Sequence, residues 1–180
     1  MKILSEQKAL DRLDRLKSNF KSEIAENFEH RAKSCLTCET QGACCLDAHF
    51  VNVHISHLEA VSIRQTVERF SKEKQREIND RINETIARYD LKATGDTFAQ
   101  TFACPLFEKG TGCLVHNDGK PLACITHACY ENKTDLPPDE LQIEQEKLVD
   151  ELNKLTYGRP QTWMPLPVAI RRCDSKINLI

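Results

Sequence analysis

Nine cysteines in a chain of 180 residues, eight of them gathered in two short stretches, constrain this fold more than any other feature. The first stretch reads Cys35-Leu36-Thr37-Cys38, followed after five residues by the adjacent pair Cys44-Cys45. The second runs from Cys104-Pro105 through Cys113 and Cys124 to Cys129. Disulfides, metal ligands and redox thiols all use cysteine, and the redox compartment separates the first from the other two. Lys2 and Glu6 leave the opening residues no apolar core of the kind a secretory signal needs. No run of about 18 apolar residues suggests a membrane span. The expectation is a cytoplasmic protein, where thiols stay reduced and closely spaced cysteines bind metal.

Two thiolates separated by two residues can bend round one ion or one cluster iron while nearby backbone N–H groups stabilise the sulfur charge. The adjacent pair is different, because consecutive side chains diverge. Two centres, or two irons of one cluster, accommodate them better than one ion, and Gly42 supplies the backbone freedom such a turn needs. Proline after Cys104 removes a donor and turns the chain. The candidate ligands are therefore Cys35, Cys38, Cys44, Cys45, Cys104, Cys113, Cys124 and Cys129. Eight thiolates suffice for two four-coordinate sites, or for one cluster with spares. Cys173 has no cysteine or histidine close to it in sequence and reads as a packed or exposed thiol. His127 and His116 are alternative ligands that would bias a site toward zinc or a high-potential cluster. Cys124 or Cys129 with His127 could also pair as nucleophile and base, although no third group is identifiable. His49, His54 and His57 follow the adjacent pair; they suit an entry path or the solvent face of an extended segment.

Around these loops the apolar pattern is helical. Leu10, Leu13, Leu16, Phe20, Ile24 and Phe28 recur every three or four positions, predicting an amphipathic helix that fades before Ser34. Val51, Val53 and Ile55 alternate with Asn52 and His54 as in a short strand. Ser56 with Glu59 forms a capping-box signature. A stripe from Leu58 through Ile63, Val67, Phe70, Ile78, Ile82 and Ile86 to Tyr89 then predicts one long helix or two over 57–89. Residues 92–136 lack a helical stripe and need another support. Pro137-Pro138 opens a helix with Leu141, Leu148, Leu152 and Leu155 facing the core, ending near Gly158-Arg159-Pro160. The segment 161–180 is interrupted by proline and shows no clear element.

The order Cys-x2-Cys, adjacent Cys pair, capped helix, Cys-Pro-Leu, Gly-Cys and Pro-Leu-Ala-Cys resembles the zinc- or iron-chelating cysteine-cluster family, also called YkgJ-like or CxxCxxCC. The likeness covers Cys35 to about Cys129. It implies metal ligands at Cys35, Cys38, Cys44, Cys45, Cys104, Cys113 and Cys124, and an iron–sulfur or zinc centre in a small cytosolic bacterial protein; Cys129 joins the set on spacing alone. This chain departs from the pattern at Lys120-Pro121-Leu122-Ala123-Cys124-Ile125, where the family carries Arg-Pro-x-x-Cys-Arg, and in its longer step from Cys38 to Cys44.

With Lys and Arg at 25 against Asp and Glu at 27, the formal charge is -2. No broad positive field is offered to nucleic acid or an anionic membrane, so the partner expected, if any, is another protein. The sequence therefore predicts a mainly α single domain over 1–180, with an N-terminal amphipathic helix in 1–33, a cysteine-cluster region over 34–130 and a C-terminal helix over 137–157, organised round a metal centre. A [4Fe–4S] cluster is the preferred cofactor and zinc the alternative. The expected role is accessory, redox or metal-handling. An iron–sulfur-dependent enzyme and a zinc-stabilised interaction module remain open, the first weakened by the absence of a nucleotide loop or a radical-SAM cysteine run.

Overall fold

The computed structural model describes residues 3–33, 40–46 and 51–173, so Cys35, Cys38 and His49 lie outside the described residues. The described chain is mainly helical, with seven α-helices and three two-stranded antiparallel pairs, and none of its helices is long and apolar enough to cross a membrane. It divides into two compact units that interleave along the sequence. The first takes 1–41 and 121–161, and the second takes 42–120 and 162–180.

In the first unit, α1 (Glu6–Asn27) begins four residues before the apolar stripe because the Ser5 hydroxyl accepts from Lys8 N and caps the first turn. Its buried face, with Leu10, Leu13, Phe20 and Ile24, packs against α6 (Asp139–Tyr157) and the short α5 (Leu122–Ile125). Asp139 and Glu140 stand in the first turn of α6, where the helix dipole favours negative charge. The helix stops at Gly158, whose φ of 74° is the left-handed cap that glycine adopts without a Cβ penalty.

The buried face of α6 keeps Leu152 of the expected leucine stripe but not Leu148. Val149, Leu152, Asn153 and Thr156 are buried, whereas Leu148 is 45% exposed. Polar residues can occupy that face because Asn153 Nδ2 donates to Val149 O at 2.8 Å and Thr156 Oγ1 donates to Leu152 O at 2.6 Å, satisfying both side chains within the helix. The strand β1 (Ala32–Lys33) pairs with β5 (Cys129–Tyr130), setting Lys33 opposite Cys129.

The second unit holds the larger apolar cluster, including Ile55, Ile63, Ile78, Ile82, Phe102, Leu106, Val115, Leu166 and Ile170. Each such fully buried side chain contributes about 1.5–3 kcal/mol relative to its exposed state. The stripe over 57–89 resolves into two helices, α3 (His57–Glu68) and α4 (Lys72–Arg88). Ser71 caps α4 by accepting from Lys74 N, so the break falls where a new capping residue is available. The capping box at Ser56 and Glu59 forms in full.

The unassigned tail supplies α7 (Leu166–Cys173), which packs on α3 and α4. Its run Leu166-Pro167-Val168-Ala169-Ile170 is buried, with exposed Arg171 and Arg172 following, and Pro167 is tolerated in the first turn. The expected strand over 51–55 shrinks to β2 (His54–Ile55), paired with β6 (Met164–Pro165). His54 is buried rather than on the solvent face: its Nε2 lies 3.2 Å from Thr97 Oγ1 and its ring stacks on Phe98 at 4.3 Å.

Candidate metal centre

Four of the expected ligands belong to the second unit. Cys44 and Cys45 sit on α2 (Ala43–Leu46), a single helical turn, while Cys104 and Cys113 stand at the base of a hairpin. Its strands β3 (Phe107–Glu108) and β4 (Gly112–Cys113) set Phe107 opposite Cys113. Leu114 N donates to Leu106 O at 2.9 Å below the pair, and Thr111 N donates to Glu108 O at 3.1 Å above it. These backbone bonds and the burial of Phe102, Leu106 and Val115 in the apolar cluster hold the segment without a helical stripe.

The two cysteine stretches meet here. Cys104 N donates to Cys45 O at 2.7 Å, joining the adjacent pair to the hairpin base. A second tie is steric. Gly42 has φ +84°, and a Cβ on it would stand 2.0 Å from Phe107 Cζ, so the ring of β3 lies directly over the entry to α2. Only glycine combines that φ with that approach.

From the other side α4 grips the hairpin. Lys74 Nζ lies 2.7 Å from Glu108 Oε1, and Arg81 Nη1 donates to Phe107 O at 3.2 Å. The remaining donors of Arg81, Nε and Nη2, are buried without a hydrogen-bond partner among the described residues. A buried guanidinium with two idle donors is costly unless an anion faces it.

Burial pushes the Cys104 thiol up to about 11, while the backbone N–H groups of Leu106 and Phe107 and the Arg81 guanidinium pull the other way; the nearby Cys113 adds to the rise. Cys113 is raised as well, chiefly by burial, against the Val115 N–H and Lys120. Backbone amides therefore address both sulfurs, from residues two or three positions after each cysteine. That arrangement stabilises thiolates in metal loops.

The first unit holds the other described candidates. Cys124 lies on α5, with its N–H donating to Pro121 O at 3.0 Å, and Cys129 lies in β5 opposite Lys33, two residues before Cys35 in the chain. His127 and His116 are both exposed. Among the described residues no group of three or more His, Cys, Asp or Glu side chains converges to hold a metal ion. Arg81 was missed by sequence reading, although its position three residues after Ile78 and one before Ile82 places it on the buried side of α4. Cys173 was expected to stand apart from histidine, but its Sγ lies 3.4 Å from His57 Nδ1. No protein-family model matches the chain, and no curated protein or solved structure matches it either.

Proposed function

We propose that this chain is a thiolate metal-binding protein, with Cys44, Cys45, Cys104 and Cys113 forming a ligand set within the second unit and Cys35, Cys38, Cys124 and Cys129 as the further ligands expected from the sequence. The observation that carries the reading is the hydrogen bond from Cys104 N to Cys45 O, because it ties together two cysteine pairs far apart in sequence. The idle donors of Arg81 support it. Thiolates bound to a metal keep net negative charge, and a buried guanidinium offsets that charge where neutral thiols would leave it unbalanced. A bound metal would deprotonate the thiols outright and so overcome the burial that now keeps Cys104 protonated.

An iron–sulfur cluster suits the adjacent pair best. On a helix, consecutive side chains point about 100° apart, so Cys44 and Cys45 serve two irons more readily than one ion. Zinc is the second reading, favoured by the amides that address Cys104 and Cys113, since this is how mononuclear thiolate sites hold their loops. The likeness to the cysteine-cluster family agrees with either metal. The role that follows is metal handling or redox support in a reducing compartment.

The test is anaerobic purification followed by elemental analysis. The reading expects bound iron with sulfide and a brown absorption near 400 nm, or zinc in a colourless protein. Metal-free protein with every thiol titrating would refute it.

A further inference from the structure

Cys173 lies outside the ligand set, and the fold gives it a partner that sequence spacing concealed. α7 packs on α3 so that its last residue meets the first residue of that helix. Cys173 Sγ lies 3.4 Å from His57 Nδ1 and 3.8 Å from the His57 carbonyl oxygen. Both residues are half-buried, and Cys173 packs against the apolar cluster of the second unit.

Each side of the pair is fixed independently. The start of α3 is locked by the capping box, in which Glu59 N donates to Ser56 Oγ at 3.4 Å and Ser56 N donates to Glu59 Oε2 at 3.2 Å. α7 is anchored by five consecutive buried residues from Leu166 to Ile170. Two rigid elements thus hold a thiol against an imidazole nitrogen, the geometry in which histidine takes the thiol proton. The positive end of the 12-residue α3 is adjacent, while Cys173 itself closes α7 at its negative end, after Arg171 and Arg172, with Arg172 Nη1 3.6 Å from Met164 Sδ. Glu59 is the nearby carboxylate on α3, and it is engaged in the cap.

We infer that Cys173 and His57 form a nucleophilic thiol–imidazole pair, a modification site for small soft electrophiles that is separate from the metal ligands. With iodoacetamide as the probe, Sγ attacks the methylene carbon, the C–S bond forms as the C–I bond breaks, and iodide leaves with the bonding pair. The thiol proton remains on the His57 imidazole until it passes to water. No electron acceptor is needed.

The experiment uses the full-length protein as purified, with its metal, alkylated at pH 7 and quenched at intervals, and follows the peptide containing Cys173 by mass spectrometry. A synthetic peptide of residues 168–178 supplies the unactivated rate. Cys173 in the folded protein should react roughly three- to tenfold faster than in the peptide, since the imidazole nitrogen 3.4 Å away can accept the thiol proton as the sulfur attacks. His57→Phe should remove that advantage, and His57→Gln should do the same if the bulkier variant does not fold. A folded-protein rate equal to or below the peptide rate overturns the inference without any variant. A fast rate that survives both substitutions overturns the assignment to His57.

Discussion

The two units present their cysteines differently. In the second, Cys104 and Cys113 rise from a hairpin whose flanking Leu106 and Val115 are fully buried, and four ties (Cys104 N to Cys45 O, Gly42 beneath Phe107, Lys74 to Glu108 and Arg81 to Phe107 O) converge on that hairpin. In the first, Cys124 occupies a four-residue helical turn and Cys129 a two-residue strand, with Thr126 Oγ1 donating to Gln142 Oε1 at 2.9 Å as the side-chain link from this segment to α6. The contrast sets two cysteines on a hairpin held by several ties against two carried on a four-residue turn and a two-residue strand. If these cysteines bind metal as proposed, the hairpin pair should contribute more to affinity, because less binding free energy goes into ordering it.

The largest expected effect sets the units against each other directly. Cys104→Ser should abolish most metal retention, since metal–thiolate sites are stabilised by on the order of 10 kcal/mol, whereas Cys124→Ser should reduce retention less. Metal content after gel filtration against a modest chelator measures both. Equal losses would erase the distinction drawn here.

Next comes the steric tie. Gly42→Ala must place a Cβ against the Phe107 ring in a left-handed backbone conformation, so metal-free protein should lose about 2–4 kcal/mol in urea unfolding, combining backbone strain with overpacking. A loss below about 0.5 kcal/mol would mean that α2 and the hairpin are not joined as described.

A smaller effect distinguishes the packed faces of α6. Val149→Ala, at a fully buried position, should cost about 1–2 kcal/mol, and Leu148→Ala, at an exposed one, less than about 0.5 kcal/mol. The reverse order would restore the leucine stripe that the sequence suggests.

The smallest effect is acidic. Burial lowers the His54 pKa below its ordinary 6.5, against the Asn52 and Thr97 backbone carbonyls, which would accept from the charged ring and raise it. The unfolded chain therefore takes up the proton first. The stability His54 contributes is fully present above pH 6.5 and is lost as pH falls toward the folded value. Comparing denaturation at pH 7.5 and pH 5.5, the wild type should lose more stability than His54→Gln. An equal loss in both would show that His54 charges as freely in the fold as in water.

Much of the helical framework was legible in the sequence, because α1, α3, α4 and α6 combine a 3.6-residue apolar period with Ser or Pro-Pro start signals. The break at Ser71 was left open because the stripe continues across it, and only the new cap decides the matter. α7 was illegible for a different reason: it has eight residues, barely two turns, and carries Pro167 near its start. The rotation of α6 escaped because leucine counts as apolar wherever it stands, while Asn153 and Thr156 count as polar even when their own helix satisfies them.

For the candidate site, spacing identified the cysteines, but only tertiary contacts could pair Cys45 with Cys104, turn Arg81 inward and bring Cys173 to His57. Such pairings depend on how the elements fold back, and local spacing does not encode them.

The most direct test of the metal reading is X-ray absorption at the metal edge of the protein purified without oxygen. The account predicts a first shell of sulfur alone, at about 2.3 Å as in thiolate-bound zinc. A shell of lighter atoms at about 2.0–2.1 Å, the range of histidine nitrogen and carboxylate oxygen, would contradict it.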